Sequence, residues 1–438
     1  MYKKLERPID IAPLVFARIV LGLLITIEFT GGLFTSYSET LINTKFHFSY
    51  ILTTFIEPWS SPILIKSHFI LNFILGLLFA SGLFYRVVTP LLLISGTSLF
   101  LMEQTLYINH FYLYSLIIFI FIFLPANRAY SLDTLRNSKL KVSQVPAWTI
   151  YIILFQISVV YIYAGIAKLN YDWLQAQPLQ IWLSNKADYP IIGKYIASTS
   201  HAYIVAYGGI AFDLLIVPLM LIKQTRKYAF IICIVFHASN AITFGVGTFP
   251  WFSIAATSLF FSPRSFRKWK LKTELPPIGN KIYHFGHYKK IIFPLLSLFI
   301  AIQVLIPLRH HVYPGNPSWT EEGHFFAWRM MLRTKQSRIQ FKVKDTINNK
   351  EVIVKLKEHL NNRQIRKMAG SPDMILQFAH YLSDYYTSNH DFNSPKVTAF
   401  SKVSLNGRPP QELIVRGVDL SKQRRGLHHY EWILPLKK

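Results

Sequence analysis

Nine stretches of this chain run apolar for about the length needed to cross a bilayer, and no other feature narrows its possible folds so far. A spanning helix needs about 20 mostly apolar residues, because backbone N–H and C=O groups meet no water in hydrocarbon and must pair within the helix. The candidate spans are residues 13–34, 66–85, 87–103, 107–125, 146–168, 202–222, 228–244, 245–262 and 292–307. The third and eighth are short, so they can be tilted, re-entrant or half-buried, and a count of eight stays open. Apolar residues make up 51% of the 438 and aromatic residues 15%, with a mean hydropathy of +0.28, too apolar for an ordinary soluble protein of this size. The expected class is a polytopic α-helical membrane protein carrying a smaller mixed α+β extramembrane domain, divided as residues 1–307 and 308–438.

The net charge of +25 could suggest nucleic acid. Its Lys and Arg fall largely between apolar runs and in the tail, where anionic lipid headgroups account for them equally well, so membrane lipid and not nucleic acid is the expected partner. The one cysteine, Cys233, lies inside an apolar run, which leaves no disulfide framework and no thiolate metal site. The first apolar run continues past Gly31 and Gly32 without a small-residue cleavage pattern and is expected to remain as a signal anchor.

Orientation follows from the basic residues, which concentrate in short cytoplasmic loops. With the N-terminus inside, the inner loops hold Lys3, Lys4 and Arg7, then Arg86, then Arg128, Arg136, Lys139 and Lys141. Lys223, Arg226 and Lys227 follow, and last a cluster of Arg264, Arg267, Lys268, Lys270, Lys272, Lys281, Lys289 and Lys290. The outer loops carry little beyond Lys45 and lysines at span edges. That asymmetry favours nine spans with the C-terminus outside.

After Pro307 the composition turns polar for about 130 residues, a domain's worth. Residues 340–343 and 352–356 bracket Asn348 and Asn349 and read as a hairpin, as do 396–405 and 412–415 around Asn406 and Gly407. Between them, 371–386 reads as a helix capped by Ser371. This tail holds 22 Lys and Arg against 11 Asp and Glu, a balance of +11 that would attract an acidic peptide.

Four polar features then land at one depth. Asn109 and His110 open the fourth span, Lys168 closes the fifth beside Asn170, Asp172 and Trp173, His237 and Asn240 share a face of the seventh, and Arg309, His310 and His311 follow the ninth. Singly, each has a plainer explanation: a terminal lysine snorkels, a buried histidine packs, and a polar pair caps a helix. Jointly they suggest a cavity, since ionisable groups within spans are costly and mark function. The histidines show no i, i+3 or i, i+4 pairing and no accompanying carboxylate, so no metal is expected. There is no phosphate loop, nucleophile elbow or acidic dyad either. What remains is a lysine acting as base in a dry site.

The motifs NHFYLY at 109–114, YAGIAKLNYDWL at 163–174, FHASNAITFGVGTFPW at 236–251 and WTEEGHFFAWRMMLR at 319–333 resemble the vitamin K-dependent gamma-glutamyl carboxylase family with its HTTM-type membrane core. The likeness continues through PDMILQFAHYL at 372–382 and VSLNGRPPQ at 403–411. It implies a nine-span lyase that couples oxidation of reduced vitamin K (phylloquinol or menaquinol) by O2 to its epoxide with capture of CO2 by peptidyl glutamate. Carried over by position, Lys168 resembles the base that deprotonates the quinol, and Asn109 and His110 the catalytic pair beside the quinone oxygens. His237, Asn240, His310, Trp173 and Tyr163 are the residues expected to line the quinone site.

A short, cysteine-poor form implies a bacterial homologue in the inner membrane, with its C-terminal domain periplasmic. Its expected partners are a Glu-containing peptide and a quinone-reducing enzyme. A quinol epoxidase without peptide carboxylation, and a non-catalytic quinone- or lipid-binding or transport protein, remain alternatives.

Overall fold

The computed structural model describes residues 2–267 and 281–437. Lys268, Lys270 and Lys272 of the basic cluster lie outside these residues. The membrane part is built from α1 (Ala12–Leu33), α2 (Pro62–Ser81), α3 (Tyr85–Leu101), α4 (Asn109–Phe123) and α5 (Trp148–Lys168), then the single turn α6 (Tyr171–Leu174), followed by α7 (Thr199–Leu221), α8 (Arg226–Phe244), α9 (Phe249–Ser258) and α10 (Lys289–Leu305). Among the described residues six helices are long and apolar enough to span a membrane: α1, α2, α5, α7, α8 and the run Gly286–Val312 that contains α10. Of the nine expected spans the other three are shorter: α3 and α4 have 17 and 15 residues, and α9 only ten.

Ten residues at 1.5 Å each give about 15 Å, half of a ~30 Å hydrocarbon layer. Helix α9 opens with Pro250 near its N-terminus and ends in turns before Pro263, which explains its brevity. The segment containing it nevertheless runs along α1. Thr248 donates its backbone N–H to Glu28 at 3.1 Å, while Arg267 pairs with Asp10, just before α1 begins at Ala12, which lies 16 residues or roughly 24 Å of helix from Glu28.

Close helix contact is set by small residues, the usual device where lipid offers no competing polarity. At Gly165 on α5, a Cβ would lie within 2.7 Å of Leu214 and 3.1 Å of the Asp213 Cβ, so glycine is what lets α7 approach. At the opposite end of the bundle, the fully buried Arg18 of α1 donates to the carbonyls of Ala80 (3.1 Å), Ala126 (2.6 Å), Ala129 (3.2 Å) and Tyr130. One guanidinium thereby satisfies a carbonyl in the last turn of α2 and three in the segment that follows α4. The short strands β1 (Pro8–Asp10) and β2 (Gln144–Pro146) pair antiparallel at the same end.

The C-terminal part is a four-stranded antiparallel sheet of β3 (Lys335–Lys344), β4 (Glu351–Ile353), β5 (Lys396–Leu405) and β6 (Gln411–Glu412), in the order β4-β3-β5-β6. Both hairpins expected from sequence are present. Alternating residues of β5, among them Val397, Val403 and Leu405, face α12 (Pro372–His390), whose Phe378 and Leu382 complete the core. This part is seated on the membrane helices by polar contacts. The buried Glu103 accepts from Gln364 Nε2 (3.0 Å) in α11 (Asn362–Met368) and from Phe48 N (3.3 Å), and Gln377 spans Ser49 N (3.0 Å) and Gln104 (3.2 Å).

Candidate active site

A cavity of about 1120 Å³ opens where the halves of α1, α4, α5, α7 and α8 nearest the C-terminal part meet it. On α5 it is lined by Ile157, Val160, Tyr161, Ala164 and Lys168, spacings of three, one, three and four that make a single helical stripe. Asn109, His110, Trp173, His237 and Asn240 also line it. Six of the eight residues singled out in the sequence therefore share one chamber.

Lys168 lies in the last turn of α5 and is 8% exposed. Its Nζ pairs with the buried carboxylate of Asp213 on α7, reaches the carbonyl of Ala164 at 3.4 Å and stands 5.3 Å above the Trp173 ring. Lys168, expected as a base in a dry site, has a carboxylate partner. Ammonium with carboxylate, or amine with carboxylic acid, carries zero net charge, so the pair can pass a proton without isolating a charge in the low dielectric. Trp173 is fixed by its indole N–H to the carbonyl of Ala206 (2.8 Å) and by Asn170, which caps α6 by accepting from Trp173 N at 3.2 Å. Asp172, in the same turn, accepts from Asn406 Nδ2 and Arg408 Nη1, each at 2.8 Å, so the β5–β6 turn holds the wall behind Lys168.

His110 is likewise accompanied, against the expectation of histidines without a carboxylate. Its Nε2 donates to Glu28 at 3.0 Å, and Glu28 also accepts from Thr248 Oγ1 at 2.6 Å and N at 3.1 Å. With Nε2 as the donor, a neutral His110 keeps Nδ1 as an acceptor. Asn109 accepts from Tyr107 O–H at 3.0 Å, and His237 Nε2 sits 2.9 Å from Tyr161 Oη, which is itself 2.9 Å from Thr257 Oγ1. Among the described residues no group of three or more His, Cys, Asp and Glu gathers as a metal site.

An HTTM domain model matches residues 6–264, more than half of the chain, and the model of the vitamin K-dependent gamma-carboxylase lumenal domain matches residues 288–438. The chain belongs to the vitamin K-dependent gamma-carboxylase family. No solved structure matches it. The two matched regions are the two halves of the cavity, since the lumenal-domain region supplies its roof.

That roof is strongly cationic. Arg329, Arg333, Lys335, Arg363, Arg366 and Lys367 line it, with Glu321 as its only carboxylate among the described lining residues. Glu321 accepts from Arg333 Nε (2.8 Å) and Lys335 Nζ (2.6 Å), and Lys335 also donates to the carbonyls of Trp319 (2.8 Å) and Gly370 (2.7 Å). Burial pushes the Lys335 ammonium down to about 8, against the opposing pull of Glu321. Burial and the neighbouring Arg333 push His324 well below its usual range, so it is neutral. Glu321, Phe326, Trp328 and Met331 all have φ between 54° and 65°, a left-handed conformation that non-glycine residues rarely adopt. Packing holds it there, with the fully buried Trp328 stacked on Tyr112 of α4.

Two expected residues lie elsewhere. Tyr163 donates its O–H to Val304 at 2.6 Å and joins α5 to α10; His310 sits in the 3-10 turns after α10, its Nδ1 2.8 Å from Pro307 O and its ring against His311. Neither lines the cavity, so their expected place in it is corrected. Five residues separate Tyr163 from Lys168, about 140° around a helix, which puts them on different faces. Glu28, Asp213, Tyr161 and the roof were not singled out. Glu28 and Asp213 had a signal: each is the one acid within its apolar helix.

Proposed function

We propose that this protein is a quinol-dependent gamma-glutamyl carboxylase, using a reduced naphthoquinone, O2 and CO2 to carboxylate glutamate in a peptide. The observation that carries this reading is a buried Lys168–Asp213 pair and a cationic roof facing one chamber. The residues present fit a reduced naphthoquinone: Ile157, Val160 and Phe236 offer apolar wall, while Asn109, His110 and Lys168 offer polar contacts where the ring hydroxyls belong. When bound, the quinol reacts with O2 to supply the strong base that the weakly acidic γ-C–H of glutamate demands.

The Lys168–Asp213 pair, neutral beforehand, takes the quinol proton as general base and becomes a cation beside the quinolate anion, so that neither new charge stands alone. Glu28 orients His110, whose Nδ1 is left to accept a proton beside the reacting centre. The roof holds the anionic glutamate: the Arg329, Arg333 and Lys367 side chains exceed what Glu321 neutralises, so a carboxylate entering from above finds compensating charge. The C-terminal part also excludes water, protecting a base that water would quench.

In this reading all nine apolar segments cross, α9 with its flanking turns serving as the eighth, the N-terminus cytoplasmic and the roof outside. A bacterial inner membrane with menaquinol as the native cofactor fits the same orientation. An epoxidase without peptide carboxylation leaves the roof without a use. The test incubates purified protein with reduced vitamin K, O2, labelled bicarbonate and Glu-rich peptides. Epoxide and labelled γ-carboxyglutamate rising together support the proposal, epoxide alone favours the epoxidase, and neither product ends both.

A further inference from the structure

We infer that the isoprenoid tail of the quinol lies in a lipid-facing portal between α1 and the turn that joins α8 to α9, an inference that deepens the proposed function and rests on it. On α1, Leu23, Ile27, Gly31 and Phe34 recur at spacings of four, four and three, which is one helix face. Leu23 and Phe34 are 42% and 81% exposed and take no part in the cavity, so this face looks outward to lipid. Ile27 is 57% exposed and Gly31 is exposed as well, yet both line the cavity. The lipid face and the chamber wall therefore meet at these two residues.

The opposite rim has the same double character. Ile242 on α8 is 79% exposed without lining the cavity, while Phe244, Gly245 and Val246, beginning two residues on, do line it. Gly245 and Gly247 have φ of 61° and 62°, so the turn passes the rim without side chains there. Gly31 is helical and nothing lies within 4 Å of where its Cβ would be. The one acid beside the opening, Glu28, is held by His110 and Thr248 and leaves the rim apolar. A passage with apolar edges and a polar inner end suits a chain of isoprene units whose ring reaches Lys168, the tail needing no hydrogen bonds.

Nothing lies within 4 Å of a Cβ at Gly31, so Gly31→Phe sets its bulk at the passage from an open position, and Gly31→Ala serves as the control. Steady-state epoxide formation is measured with long-tailed menaquinol and with tail-less menadiol. Gly31→Phe should raise KM for the long-tailed quinol by roughly tenfold, as displacing about two CH2 groups from the wall would, with menadiol unchanged and Gly31→Ala close to wild type. An equal effect on both quinols, or none, overturns the inference.

A second measurement needs no turnover: a naphthoquinone with a diazirine at the tail end is photolysed with the wild-type protein. Labelling of 23–34 and 242–248 that excess unlabelled quinone removes supports the portal even if no epoxide forms, in which case only the proposed function fails. Labelling that resists excess quinone assigns the passage to bulk acyl chains and overturns the inference.

Discussion

Removing Arg408 should loosen the wall behind Lys168 although the two residues do not touch. Arg408 makes a two-pronged pair with Asp172, whose side chain is 8% exposed, while its own is 23% exposed. Breaking a buried pair by deleting one partner costs about 3–5 kcal/mol, and the partial exposure of Arg408 reduces this to about 2–3 kcal/mol. In Arg408→Met, Asp172 keeps only Asn406 as a side-chain donor, so a buried carboxylate is left short of compensation. The turn that carries Asp172 also carries Trp173, which covers the Lys168 amine. The variant should therefore lose stability and, by displacing Trp173, quinol turnover.

The decisive comparison is with the double variant Asp172→Asn/Arg408→Met, which removes the stranded charge along with its partner. Unfolding in detergent, followed by intrinsic fluorescence, should show the double variant at least about 1 kcal/mol more stable than additive losses allow. A single Arg408→Met no less stable than the double variant, or one with wild-type turnover, would refute the reasoning.

Lys168→Ala should lower epoxide formation by about 10²–10⁴-fold, the usual contribution of general-base catalysis, while the thermal unfolding profile keeps its cooperative shape; unchanged turnover would favour a transport or binding protein. Glu28→Ala strands His110 Nε2 and the Thr248 N–H, while Thr248 Oγ1 keeps Tyr114 as a partner, and should cost about 1–3 kcal/mol and depress γ-carboxyglutamate formation, as read by unfolding and product assay in parallel. Peptide affinity should weaken as pH rises through about 8, since Lys335 carries its positive charge below that value and loses it above; a glutamyl-peptide KM that stays flat from pH 7 to 9 contradicts this. Added salt should weaken the same binding, because part of it arises from the +11 balance of the tail.

Much of the fold was legible because hydrocarbon demands long apolar runs, and α1, α2, α5, α7 and α8 begin and end within a few residues of where those runs do. Helix α9 was not legible, since composition cannot tell a helix from a half-helix followed by turns. The Asn-Gly signal at Asn406 and Gly407 gave the β5–β6 hairpin, but not that its turn reaches across to Asp172, a contact 234 residues away in sequence. For the site, reading depth brought Lys168, His110 and His237 to one level yet says nothing of direction around a helix, and the resemblance that put Tyr163 among the expected quinone-site residues says nothing of it either. The stripe from Ile157 to Lys168 would have excluded Tyr163 and selected Tyr161. The roof draws on residues between 321 and 374 that become neighbours only once the sheet is seated.

Arg18 bears on the order in which the bundle can assemble. Its four acceptor carbonyls belong to residues 80, 126, 129 and 130, so none has been synthesised when the first helix enters the bilayer. Until then the guanidinium has to stay among headgroups and water, which holds the first helix shallow or tilted. Its final depth becomes available only after the fourth helix has arrived, and a chain interrupted before residue 130 would leave that helix unanchored.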